Sequence, residues 1–144
     1  MKTILVCLDF TEISDSVMAE ATSFADKTGA ALHLVYVSPY RGEHASHVAS
    51  AEAQTASISI KMTKENTRME FYLKSCRDAG IQAEGDILSG NVSDAITEKA
   101  KELEINYVII GSRTTNAATH VIKGSVGADL LKKLQKPLIL VPHI

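Results

Sequence analysis

Four short apolar runs and a fifth, more polar one alternate along the chain with stretches whose apolar residues recur every three or four positions. Ile4-Leu5-Val6-Cys7-Leu8 opens the series as a continuous run, the signature of a strand covered on both faces. After Asp9-Phe10-Thr11-Glu12, the residues Val17, Ala21, Phe24 and Ala25 fall at helical spacing, and Gly29 supplies a stop. Ala31-Leu32-His33-Leu34-Val35-Tyr36-Val37 reads as the second strand, closed by Pro39, which cannot donate to a ladder. Positions 41 to about 57 hold few large apolar residues and read as a loop or a loosely held helix start. Ile58, Met62, Met69, Leu73 and Cys76 then form a helical stripe that Gly80 closes. The third strand, Gln82 to Leu88, is polar enough to be an edge. Asn91 or Ser93 is placed to cap a helix that carries Ala95, Ile96, Ala100 and Leu103 inward. Tyr107-Val108-Ile109-Ile110 forms the fourth strand, with Gly111 as its terminator. A polar loop from Ser112 to Lys123 leads to Gly124-Ser125 and a last helix, with Val126, Leu130, Leu131 and Leu134 on its inner face. Pro137-Leu138-Ile139-Leu140-Val141 is the fifth strand.

The order β-α-β-α-β-α-β-α-β predicts an α/β fold, in which right-handed crossovers place helices on both faces of a mostly parallel sheet. The 144 residues read as a single domain, 1–144. A chain of that length buries about two-thirds of its unfolded surface and needs no metal or disulfide staple. In an open sheet of this kind, ligands bind beyond the carboxyl ends of the strands, where the strand order reverses.

Composition narrows the partners. Hydrophobic residues make up 45% and charged residues 22%, a globular balance. A net charge of −2 provides no polybasic field, and aromatic residues are 5% with no Trp, so no nucleic-acid partner is expected. Asp9 interrupts the first apolar run short of a signal-peptide core and no run approaches a membrane span, so the expectation is a cytoplasmic protein with no membrane partner. Cys7 and Cys76 fall in a strand and a helix pattern and read as buried thiols of a reducing compartment; no C-x-x-C pair exists. His44 and His47 are three residues apart and would need Glu43 or Glu52 to complete a metal site, and no metal is expected. His33 and His120 read as surface or loop residues.

Two strand ends carry candidate chemistry. The first is Leu8-Asp9-Phe10-Thr11-Glu12; the second is Gly111-Ser112-Arg113-Thr114, followed after the loop by Gly124-Ser125-Val126. Gly111 lets a backbone approach closely, and Gly124-Ser125 start a helix whose free N–H groups and dipole suit an anion. Arg113 and Lys123 add positive charge to the same loop. Each feature also has an ordinary structural use. Gly-Ser is a common helix cap, and Asp9, Thr11 and Ser14 can serve as turn or helix caps. Neither a G-x-x-x-x-G-K-[ST] nor a G-x-G-x-x-G follows the first strand, which excludes the two commonest phosphate-loop designs. A phospho-accepting receiver would end its third strand in Asp, whereas this one ends Leu88-Ser89-Gly90.

Four stretches together resemble the universal stress protein family across essentially the whole chain. They are Ile4 to Glu12, Leu32 to Val37, Gly111 to Gly124-Ser125-Val126, and Lys136-Pro137-Leu138-Ile139-Leu140-Val141. The third is similar to the family's nucleotide loop, G-x2-G-x9-G-[ST]. The resemblance implies a three-layer α/β/α fold with a five-stranded parallel sheet in the order 3-2-1-4-5, of the adenine nucleotide alpha hydrolase-like kind. It also implies ATP, with Mg2+, held where strands one and four are neighbours. Asp9 and the backbone of Val37 would meet the adenine, and Gly111, Gly124, Ser125 and Val126 would cradle ribose and phosphates. Cys7 and Ile110 on the strands, and Arg113 and Thr114 in the loop, complete the candidate set. A homodimer through the closing edge strand is likewise implied; an unpaired edge invites a twin, although Pro142 removes one donor there.

The motif's second glycine is Thr114 in this chain. If that position needs positive φ, a β-branched residue costs about 1–3 kcal/mol, equivalent to roughly ten- to a hundredfold in affinity. Two readings therefore stay open: a stress-response module that binds an adenine nucleotide, and a non-nucleotide dimeric regulatory or interaction module with a degenerate loop. Slow ATP hydrolysis, or autophosphorylation on Ser112, Thr114, Thr115 or Ser125, has no catalytic constellation behind it. An ATP-pyrophosphatase-type enzyme would carry a serine- and glycine-rich loop after the first strand, where this chain has Asp9-Phe10-Thr11-Glu12.

Overall fold

A continuous apolar run demands cover on both faces, and β1 (Thr3–Leu8) has it: Ile4, Leu5 and Val6 are fully buried. The computed structural model describes residues 1–41, 52–112 and 126–142, excepting the side chains of 52–55. After β1 come α1 (Glu12–Thr28), β2 (Ala31–Ser38), α2 (Glu52–Asp78), β3 (Ala83–Ser89), α3 (Val92–Leu103), β4 (Tyr107–Ser112), α4 (Val126–Leu134) and β5 (Leu138–Pro142). The five strands form one sheet in the order β3-β2-β1-β4-β5, and every pairing is parallel. The order reverses between β1 and β4.

Strand alternation divides the core into two layers. Ile4, Val6, Leu32, Leu34 and Ile109 face α1 and α2, where they meet Val17, Ala21, Met69 and Leu73. Leu5, Cys7, Val35 and Val108 face α3 and α4, where they meet Ile96, Ala100 and Leu130. The expected helix stops hold: Gly29 and Gly80 take positive φ (75° and 77°), which a side chain would resist. Asn91 is the α3 cap, its side-chain oxygen accepting from the Asp94 amide at 3.0 Å.

Three details differ from the sequence reading. β4 does not stop at Gly111 but runs to Ser112, because β5 continues beside it and pairs Gly111 with Val141 and Ser112 with Pro142. Leu131 is 54% exposed; α4 turns Gly127 and Leu130 to the core instead. His33 is buried, its Nε2 2.6 Å from Asp86 Oδ2 on β3, with the Lys99 ammonium 3.5 Å from the same oxygen. α2 begins by Glu52, which the reading of 41 to about 57 as a loop or a helix start allows. His44, His47, Glu43 and His120 lie outside the described residues. Among the described residues no group of three His, Cys, Asp or Glu side chains could hold a metal, and no helix is long and apolar enough to cross a membrane.

Candidate functional site

The β1–α1 turn is fastened from three directions. Ser14, the third residue of α1 and 1% exposed, accepts from the Asp9 and Phe10 amides (3.1 and 3.0 Å) and donates to Asp9 Oδ1 (3.0 Å). Asp9 Oδ1 also accepts from the Thr11 amide (3.0 Å) and the Thr11 hydroxyl (2.7 Å). The carboxylate therefore serves as a turn cap, as its position at a strand end allows. Thr11 occupies the α1 cap position but makes no side-chain cap bond; Ser14 and Asp9 together satisfy the turn instead.

Beyond the ends of β1 and β4, at the reversal of strand order, lies a cavity of about 320 Å³. Cys7 and Ile110, paired in register, form its floor with Gly111. Asp9 and Ser14 stand on the α1 side, Val92 and Ile96 come from α3, and Val126 and Gly127 from the first turn of α4. The lining is mostly apolar with a few polar groups at one edge, and the volume falls at the small end of the range of natural ligand sites. A flat apolar base with a polar tail suits such a slot, with the tail leaving toward the start of α4.

Of the predicted site residues, the fold brings together Cys7, Asp9, Ile110, Gly111 and Val126. Val37 does not line the cavity. It lies one residue beyond the β1–β2 pairing, which ends at Leu8 and Tyr36, and is half-buried against the α3–α4 layer. Arg113, Thr114, Gly124 and Ser125 lie outside the described residues. Ser14, Val92, Ile96, Gly127 and Leu140 also line the cavity. Ser14 was legible in the sequence as a cap and the others as helix or strand positions, but their meeting depends on three crossovers.

Gly111 has a packing reason of its own. A Cβ there would stand 2.7 Å from Ile13 Cδ1, 3.0 Å from Ile13 Cγ1 and 3.2 Å from Val17 Cγ2. The missing side chain lets α1 close down on β4. Burial pushes the Cys7 thiol up to about 12, so it is protonated and unreactive at neutral pH.

An open parallel sheet with helices on both faces and a cavity at the β1/β4 reversal defines a doubly wound α/β domain. The sequence model of the universal stress protein family matches residues 1–142, and the chain belongs to that family. It is 25% identical over 142 residues to universal stress protein G of Salmonella typhimurium, spanning 97% of this chain and 98% of that protein. Protein MJ0577 of Methanocaldococcus jannaschii superposes with a TM-score of 0.79 at 22% identity, covering 99% of this chain and 96% of that one. A universal stress protein family protein from Arabidopsis thaliana, solved with AMP bound, superposes with a TM-score of 0.73 at 15% identity, covering 100% and 93%. These superpositions establish the shared fold.

Proposed function

We propose that this universal stress protein binds an adenine nucleotide, ATP with Mg2+ foremost, in the cavity beyond β1 and β4. The observation that carries the reading is the cavity itself: about 320 Å³, largely apolar, at the reversal of strand order, with a fastened carboxylate on one side and the start of α4 on the other. The AMP-bound family member of the same fold supports an adenine nucleotide as the class of ligand. In this reading the adenine rests among Cys7, Ile110 and Ile96, Asp9 accepts from the ribose or the base edge, and the phosphates run toward Val126 and Gly127 at the start of α4. Asp9 is the one carboxylate lining the cavity among the described residues, so Mg2+ arrives on the phosphates rather than in a protein cage.

Titration calorimetry of the purified chain with ATP and with AMP, each with and without Mg2+, tests it. Saturable one-to-one binding is expected, and the absence of heat at millimolar nucleotide sinks it. Thr114 favours a second reading, a non-nucleotide module that acts by pairing through the β5 edge. Thr114→Gly discriminates between the two: affinity rises about tenfold if the threonine merely strains the loop, and no binding appears if the site has been abandoned. Light scattering reads the mass directly, and a dimer is expected under either.

A further inference from the structure

A second cavity, of about 450 Å³, opens on the α2 side of the β1–α1 turn and shares no lining residue with the first. Its floor is aromatic. The Phe10 ring stacks on Tyr36 with centroids 4.0 Å apart, and Tyr40 extends the shelf with the Lys61 ammonium 4.7 Å above its ring. Its wall is one face of α2, where Lys61, Lys64, Glu65 and Arg68 fall at i, i+3, i+4 and i+7. Lys61 and Lys64 have no carboxylate partner among the described residues.

Glu65 makes this more than a solvated face. It is 5% exposed, and its Oε1 accepts from the Ser38 hydroxyl (2.9 Å) and Arg41 Nε (3.3 Å). Oε2 of the same carboxylate is buried with no hydrogen-bond partner among the described residues. A buried carboxylate oxygen left unpaired is costly, and a bound hydrogen-bond donor is one way to satisfy it. Tyr36 stands beside this carboxylate: burial first, then the charge of Glu65 and a side-chain hydrogen bond to it, push the tyrosine hydroxyl up to about 12, so that it keeps its proton.

We propose that this cavity is a second small-molecule site, for a planar aromatic anion that also carries a hydrogen-bond donor. The ring lies on the Phe10–Tyr36–Tyr40 shelf, the anionic group faces Lys61 and Lys64, and the donor reaches Glu65 Oε2. An adenine nucleotide in the first cavity is not required for it.

The test is an amide-resolved NMR titration of the full chain with 4-hydroxyphenylacetate, repeated with phenylacetate, which lacks the donor. Saturable shifts are expected at 10, 36, 40 and 61–68, with the hydroxylated probe bound several-fold more tightly. The exposed double variant Lys61→Glu/Lys64→Glu should weaken binding roughly tenfold or more, the scale of lost charge-assisted contacts. Shifts that map to Cys7, Ile110 and Gly111, no saturation at millimolar probe, or an affinity indifferent to the charge reversal would each overturn the proposal. Equal affinity for the two probes would overturn the assignment of Glu65 as the acceptor.

Discussion

Replacing Gly111 by alanine separates two uses of that glycine, as room for a ligand and as room for a helix. The added methyl group meets Ile13 Cδ1 at 2.7 Å, a distance real carbons do not tolerate, and Ile13 Cγ1 and Val17 Cγ2 at 3.0 and 3.2 Å. Ile13 and Val17 are 3% and 1% exposed, and both are stiff at their branched Cβ. Overpacking of this kind costs about 1–3 kcal/mol. The Ile13 terminal methyl can swing toward the cavity it already lines, which places the expected cost near the lower half, about 1–2 kcal/mol. At roughly 2–4 °C per kcal/mol for a domain of this size, Tm falls by about 2–8 °C. Urea denaturation of four proteins closes the cycle: the parent, Gly111→Ala, Ile13→Val and the double variant. Ile13→Val alone removes the offending Cδ1 and costs about 0.5–1.5 kcal/mol. In the Gly111→Ala background it should cost less than that, giving a coupling of at least about 0.5 kcal/mol. Strict additivity, or a Gly111→Ala variant within about 0.5 kcal/mol of the parent, refutes the packing account.

Three further outcomes follow from the same contacts. Asn91→Ala removes the α3 cap bond to the Asp94 amide and should cost about 1 kcal/mol in urea denaturation, with Asn91→Asp close to neutral. Burial alone would raise the Asp86 carboxyl, but the His33 hydrogen bond and the Lys99 ammonium outweigh it and hold the group below its ordinary value. A depressed folded-state value gives stability that is present above the unfolded value and lost as pH falls through the folded one. The stability advantage of the parent over Asp86→Asn should therefore hold above about pH 4 and shrink below it, by a small amount because Asp86 is 41% exposed; a difference flat down to pH 2 contradicts this. With its thiol pushed up to about 12, Cys7 should resist alkylation at pH 8 in the folded protein and react on unfolding; labelling at the rate of a free thiol would show that burial does not hold.

How far the sequence reached depends on what kind of signal each feature leaves. β1 and β2 were legible because a strand covered on both faces must be apolar throughout, and β5 because it is an apolar run too, although at the sheet edge it is only partly covered. The last two residues of β4 were not, because Gly111-Ser112 has the chemistry of a turn and is held in the sheet by β5, which arrives 27 residues later. Asp9 and Gly111 stood out as site residues because strand ends at a reversal are where ligands bind. Ile96 and Leu140 left only the signal of an apolar helix or strand position, since lining a cavity and filling a core ask for the same side chains. His33 was misplaced for a related reason: a polar residue in a strand pattern reads as exposed unless its partner is known, and Asp86 lies 53 residues away. The wall of the second cavity left no apolar trace, being a polar helix face of lysines around one buried glutamate.

Phe10 links the two halves of the molecule's carboxyl-end surface. It holds φ at 59°, where a non-glycine residue is strained by about 1 kcal/mol. Glycine would relieve that strain, yet the position carries a large ring. The ring stacks on Tyr36, a contact worth about 0.5–1.5 kcal/mol that offsets the strain, while the carbonyl accepts from Arg68 Nη2 at 3.1 Å and the amide donates to Ser14 Oγ at 3.0 Å. The same Ser14 hydroxyl holds Asp9 Oδ1. A side chain at the floor of one cavity is thus tied, through one backbone residue and one shared hydroxyl, to the carboxylate of the other. Displacing Phe10 from its stack is therefore expected to shift the Asp9 turn, and ligands that each shift this turn would alter one another's affinity by the same factor in both directions.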